Sequence, residues 1–321
     1  MSPTEQTQQT PTATDERVKE MSRFRAALIR PELGSICGVI LVFVFFFLTA
    51  RDSGMFSPAG VMNWSIVSAQ FIIIAVGACL LMIAGEFDLS VGSMIGFSGM
   101  SIALLSVSFG WPVWLAIIAT FVLCVAIGAF NGWIVIKTGL PSFIVTLAFL
   151  FILRGLTIFA AIATTRKTII GGVRDVAEGH WLLTKTKFGN WIFAAGGDAQ
   201  AARYVGVPVN RVKIMMFMFT AFCACVFATA QVMEFGSAGA DRGLLKEFEA
   251  IISVVIGGAL LTGGYGSVIG AALGAIIFGV VQQGLFFAGV ESSLFRVFLG
   301  VILLLAVILN TYIRRMITGE K

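Results

Sequence analysis

Read along the chain, apolar and polar positions fall into long uncharged runs separated by short polar breaks. The runs are Ser35–Ala50, Ile66–Ala84, Leu89–Ser108, Val113–Ile136, Ser142–Ala163, Ile214–Met233, Ala250–Leu261, Val268–Ala288 and Phe295–Ile313. A helix needs roughly 20 apolar residues to cross hydrocarbon once. The pattern therefore predicts an all-α integral membrane protein, a polytopic helical bundle of about nine spans with a broken helix near Gly85–Gly92. The Leu89 and Ala250 runs start or end at glycine-rich breaks, which leaves a re-entrant course open for both.

Glycine is concentrated in one part of this pattern. Ala250–Val290 has no charged residue but includes Gly257, Gly258, Gly266, Gly270 and Gly274. In a bilayer, small residues let helix backbones approach closely where apolar burial gives no preference for protein over lipid. The stretch reads as two close-packed helices joined by a tight turn at Gly263-Gly264-Tyr265-Gly266-Ser267. These glycines are helix-packing candidates.

Composition supports the membrane reading. The chain is 58% hydrophobic and 12% charged, with a mean hydropathy of +0.96, against about 25% charged in soluble domains. Its net charge of +5 is explained by lysine and arginine at span ends facing the cytoplasm, not by nucleic-acid binding. The five cysteines, Cys37, Cys79, Cys124, Cys223 and Cys225, lie in hydrophobic runs and act as small apolar residues. With His180 the single histidine, metal sites, cofactors and triad chemistry are not expected. No Gly-x-x-x-x-Gly-Lys-Ser/Thr phosphate loop occurs, so any ATP hydrolysis must come from a separate subunit.

Residues 1–30 read as a disordered and basic N-terminus, rich first in Thr, Gln and Pro and then in arginine, without a signal-peptide pattern. Arg17, Lys19, Arg23, Arg25 and Arg30 place it in the cytoplasm. Residues 31–315 form one transmembrane domain, followed by a cytoplasmic tail at 316–321. Alternating from an inside start puts Glu86 and Asp88 inside, and the fifth span delivers the chain outside at Thr164. The polar stretch 164–213 then ends in Arg203, Arg211 and Lys213, which belong inside. Its two ends want opposite sides, yet no run long enough to cross lies between them. A crossing expected there is absent, and the junction Gly179-His180-Trp181-Leu182-Leu183-Thr184 is where the middle is missing.

Several polar residues sit where apolar ones are expected. Asp88 follows a glycine break and precedes an apolar run. It can cap the next helix, or line a solute path with Glu86 and Ser90. Arg154 lies well inside its span. It either snorkels to the outer interface or meets a buried partner such as Asp88 or Glu249. Gln282 and Gln283 must find hydrogen bonds, one to a neighbouring helix and the other to a solute hydroxyl. Asn131 reads as a structural hydrogen bonder that also borders the path. Gly196, Gly197 and Asp198 end one element and cap the next. Ala201, Ala202 and Arg203 then continue a short helix whose small-residue face lets a partner approach.

Five stretches carry a resemblance. They are Gly85-Glu86-Phe87-Asp88-Leu89-Ser90-Val91-Gly92-Ser93; Leu140-Pro141-Ser142-Phe143-Ile144-Val145-Thr146-Leu147 with Arg154-Gly155; Gly196–Arg203 with Gly206; Glu247-Phe248-Glu249-Ala250 running into Val255-Ile256-Gly257-Gly258; and Gly263–Gly270. Together, in this order, they resemble the membrane permease subunits of ribose/xylose-type ABC sugar importers, closest to the fructose branch. The resemblance implies a bundle of about ten spans in the bacterial inner membrane, with both termini cytoplasmic. It further implies a homodimer on two cytoplasmic ATPase subunits, with a periplasmic sugar-binding protein docking opposite. Residues 196–206 would be the coupling helix that fits the ATPase. The chain departs from the family after Trp181, where relatives carry a further span, and at Glu86 and Val205, where glycine and serine are common. The implied function is import of a monosaccharide, fructose or similar. A branched-chain amino-acid or nucleoside permease, and a self-contained facilitator or ion-coupled carrier, remain as alternatives.

Overall fold

The computed structural model describes residues 31–172 and 208–291, together with single helical positions between 294 and 308. The N-terminal segment, the 196–206 region with Gly196, Gly197, Asp198, Ala201, Ala202 and Arg203, and the C-terminal tail lie outside the described residues. Among the described residues eight continuous α-helices run in order: α1 (Pro31–Thr49), α2 (Pro58–Ile83), α3 (Val91–Ala103), α4 (Val113–Thr138), α5 (Ser142–Thr165), α6 (Val209–Phe235), α7 (Lys246–Ile256) and α8 (Val268–Phe287). A π-helical turn at Leu104–Ser108 extends α3. Counting that turn with α3, six of these helices, α2 to α6 and α8, are long and apolar enough to cross a membrane. The protein is a polytopic helical membrane bundle.

Local chemistry sets the ends. Ser57 caps α2, its hydroxyl accepting from the Gly60 amide at 3.1 Å, with Pro58 in the first turn. Ser267 caps α8 in the same way. Helices α4 and α6 stop at Gly139 and Gly236 in the left-handed conformation, which glycine adopts without a Cβ penalty. The core lies where α2, α3, α6, α7 and α8 meet, around Phe71, Ile74, Met94, Phe217 and Phe227. Helices α4 and α5 present Leu123, Phe130, Phe151 and Phe159 outward, as a lipid-facing surface requires.

One small sheet orients the bundle. Strand β1 (Ile169–Gly171) pairs antiparallel with β2 (Ser237–Gly239), Ile170 opposite Ala238. β1 follows the end of α5 and β2 follows the end of α6, so α5 and α6 end on one face. Their starts share the other face, where Lys213 of α6 meets Glu86. Gly172 and Pro208 therefore lie at opposite faces of the bundle.

The Ala250–Leu261 run is where the structure departs most from a simple hydropathy reading. Helix α7 has 11 residues, about 16 Å of rise, or half the roughly 30 Å of hydrocarbon. The other half of the crossing is β2 and the turns of residues 240–245, which descend beside α3. Irregular backbone is tolerated at that depth only where it is buried in protein. Here it lies against the glycine face of α3. A methyl group on Gly96 would stand 2.7 Å from the Ala240 carbonyl oxygen, and one on Gly243 would stand 1.6 Å from that of Gly92. The half-helix opens at Leu245, a bulky residue held at φ 66°.

Candidate functional site

The break between α2 and α3 brings three of the singled-out residues together. Asp88 Oδ1 accepts from the Ser90 amide at 2.8 Å and from the Ser90 hydroxyl at 2.5 Å. Asn131 Nδ2 of α4 donates to the same hydroxyl at 3.1 Å. Ser90 is the residue at the N-cap of α3, so Asp88 ties down the turn just ahead of the helix. The amides of Phe87 and Leu89 donate to the hydroxyls of Ser142 and Thr146 on α5, each at 3.0 Å. The Gly85–Ser93 and Leu140–Leu147 stretches thus form one structural unit. Glu86 points elsewhere, to Lys213 Nζ at 2.6 Å. Burial pushes the Asp88 carboxyl up to about 6, against the two Ser90 hydrogen bonds, which lower it.

Arg154 lies away from this cluster, 12 residues into α5 and so about 18 Å from its start. It is half-buried and acts electrostatically on Glu247 at the start of the half-helix. Glu247 is only 3% exposed. A methyl group on Gly92 would fall 1.9 Å from its Oε2, an oxygen with no hydrogen-bond partner among the described residues. Next to it, Lys246 pairs with Glu249 and sets its ammonium 4.7 Å above the Phe71 ring, halfway along α2. Gln70 of α2 donates to Glu234 at the end of α6. Charged groups from α5, α6 and α7, with Gln70 of α2, therefore lie inside the bundle, where only mutual pairing or water makes them tolerable.

The other candidates lie on α8 and its seam with α7. Gln282 and Gln283 are half-buried, and Gln282 Oε1 has no partner among the described residues. A methyl group on Gly257 would stand 2.4 Å from the Gly270 carbonyl oxygen, and one on Gly274 would stand 2.0 Å from that of Ser253. Gly266 packs equally tightly on Ala259 and Ile83, and Gly258 holds φ +85°. The loop is stitched to the end of α2 by Gly264, whose amide donates to the Ile83 carbonyl at 2.8 Å. Sequence reasoning missed Gln70, Gln231, Glu234, Arg242 and Lys246 as interior groups. The signal for Glu234, Arg242 and Lys246 was a cluster of charges between the Ile214 and Ala250 runs, which hydropathy reads as a loop, whereas Gln70 and Gln231 lay within apolar runs.

The chain resembles known proteins over most of its length. The family whose model matches is described as the branched-chain amino acid transport system / permease component, over residues 60–179 and 172–307. The xylose transport system permease protein of Escherichia coli (strain K12) is 29% identical, with 86% of this chain and 91% of that protein covered. The inner membrane ABC transporter permease protein YjfF of the same strain is 31% identical, with 84% and 89% covered. Its ribose import permease protein is also 31% identical, with 74% and 81% covered. No solved structure matches the chain. The 295 positions aligned with YjfF hold about 270 residues of this chain (84% of 321), so about 25 of them have no counterpart here.

Proposed function

This chain belongs to the permease-component family of the branched-chain amino acid transport systems, and from that membership we propose that it is the membrane-spanning subunit of an ATP-binding-cassette importer for a monosaccharide. The observation that carries the reading is the near full-length similarity to permeases named for xylose and ribose. Fructose is the finer assignment, supported by the motif resemblance alone. Two copies would sit on two cytoplasmic ATPases in the bacterial inner membrane, with both termini cytoplasmic and a sugar-binding protein on the opposite face. The Gly196–Arg203 segment would receive ATPase closure. The solute path would run beside the break at Glu86, Asp88, Ser90 and Asn131 and past Arg154, Gln282 and Gln283. Glycine seams at Gly257, Gly258, Gly266, Gly270 and Gly274 would let the half-helix and α8 stay in contact as the subunits move.

A missing crossing after Trp181 belongs to the same reading. Its supports are the opposite faces of Gly172 and Pro208 and the overlap of the two family matches at 172–179. Cysteines introduced singly at Asp175 and Lys185 in a cysteine-free chain should label from the same side if a crossing is gone. Labelling from opposite sides would reveal a crossing between them.

The function is tested in proteoliposomes holding the chain with its ATPase and binding protein. ATP-dependent uptake of labelled D-xylose, D-ribose or D-fructose is expected. Uptake of leucine instead would favour the second reading, for which the family's own description speaks. Sugar uptake without any ATPase would overturn both.

A further inference from the structure

A small cavity lies between α3, α6 and the irregular half of the 236–256 crossing. Its walls are Ile95 and Gly99 of α3, Ala228 of α6 and Ala238 of β2, and its volume is about 10 Å³, enough for one water-sized group. Two further residues line it, Gln231 and Arg242. The Oε1 of Gln231 and the Nη1 of Arg242 are both buried and, among the described residues, both without a hydrogen-bond partner. The rest of the Arg242 guanidinium is fixed, Nη2 donating to the Ser237 hydroxyl at 2.7 Å and the group lying 4.6 Å from the centre of the Phe235 ring. An acceptor and a donor thus line one hydroxyl-sized space, each costing free energy while unpaired.

We infer that this cavity is a binding site for a single hydroxyl group, supplied by the transported sugar during passage or by a resident water between passages. A hydroxyl donates and accepts at once, so it satisfies Gln231 Oε1 and Arg242 Nη1 together, which neither an apolar group nor a cation can do. The position fits a solute path. The cavity borders the irregular crossing, and beside it Phe235 is 56% exposed, an apolar ring next to a polar pair that suits the mixed faces of a sugar. The sugar half of this inference rests on the importer reading.

The test uses the complete importer in proteoliposomes, with D-ribose, D-xylose and singly deoxygenated forms of whichever is carried better. In the wild type, removing one particular hydroxyl should slow uptake. In Gln231→Met, closest in shape, the preference for the parent sugar over that analogue should fall about three- to tenfold, the range of one lost hydrogen bond. ATPase activity without solute should stay unchanged. Gln231→Leu should behave alike, which guards against a folding defect in either variant. A preference that stays intact while thermal stability shifts would overturn the sugar assignment in favour of a buried water. A preference and a stability that both stay unchanged would overturn the site. A wild-type complex that carries no sugar would instead sink the importer reading, and is seen before any variant is compared.

Discussion

The bundle buries an acidic side chain at each of two breaks in its helical order, and the two breaks are held together differently. At the α2–α3 break, Asp88 is satisfied within its own turn by Ser90, with Asn131 behind it and Ser142 and Thr146 serving the adjacent amides. At the start of α7, Glu247 has one oxygen without a partner and rests on the bare backbone of Gly92. The first break is closed by hydrogen bonds from neighbouring side chains. The second is closed by the absence of side chains, with charge compensation from Arg154 across the bundle. A break of the first kind tolerates changes of shape but not of polarity. A break of the second kind does the reverse.

That contrast is broken most severely by adding a methyl group. Gly243→Ala, whose Cβ would stand 1.6 Å from the Gly92 carbonyl oxygen, should cost more than about 3 kcal/mol and leave little folded protein on size exclusion in detergent. Gly155→Ala, with nothing within 4 Å, should be neutral or slightly stabilising by the same measure. Equal loss in both would remove the close-approach argument.

The Asp88 break should show its polarity as pH dependence. Its carboxyl is raised from 3.8 to about 6 by burial, so the unfolded chain ionises first as pH rises. Stability is therefore full below about pH 4 and declines through pH 6, by at most about 3 kcal/mol. Asp88→Asn should flatten that decline in thermal melts between pH 4 and 8. A decline of the same size in the variant would mean that other groups cause it.

A smaller effect sharpens the second break. Arg154→Met should destabilise by about 1–2 kcal/mol, and the loss should shrink in a Glu247→Gln background, since the two charges then no longer need each other. Strict additivity would break the pairing. The smallest change is Lys213→Met. The pair with Glu86 is partly exposed, with side chains 18% and 12% accessible, so the expected cost is under about 1 kcal/mol in the same melts.

The motifs at Gly85–Ser93 and Leu140–Leu147 were legible as short strings, but their contact was not. That Phe87 and Leu89 borrow the hydroxyls of Ser142 and Thr146 depends on where α5 begins relative to α3, some 55 residues away in sequence. Arg154 was recognisable as costly in its span, and Glu247 stood in a quoted motif. Pairing them required knowing that a chain end of α6 turns back into the membrane. Gln231 gave no sign, because a glutamine near a helix end looks like an interface residue, and Arg242 showed only as one charge of a polar stretch.

By itself the sequence determined the class of this protein and the place of six helices long and apolar enough to cross a membrane, because hydrocarbon selects on local composition and any twenty-residue run either satisfies it or does not. Only the tertiary structure decided that residues 236–256 cross as an irregular strand followed by half a helix. A polar, non-helical stretch is admissible at that depth only where another helix offers it a face without side chains, and Gly92, Gly96 and Gly99 of α3 become such a face only once the bundle is assembled.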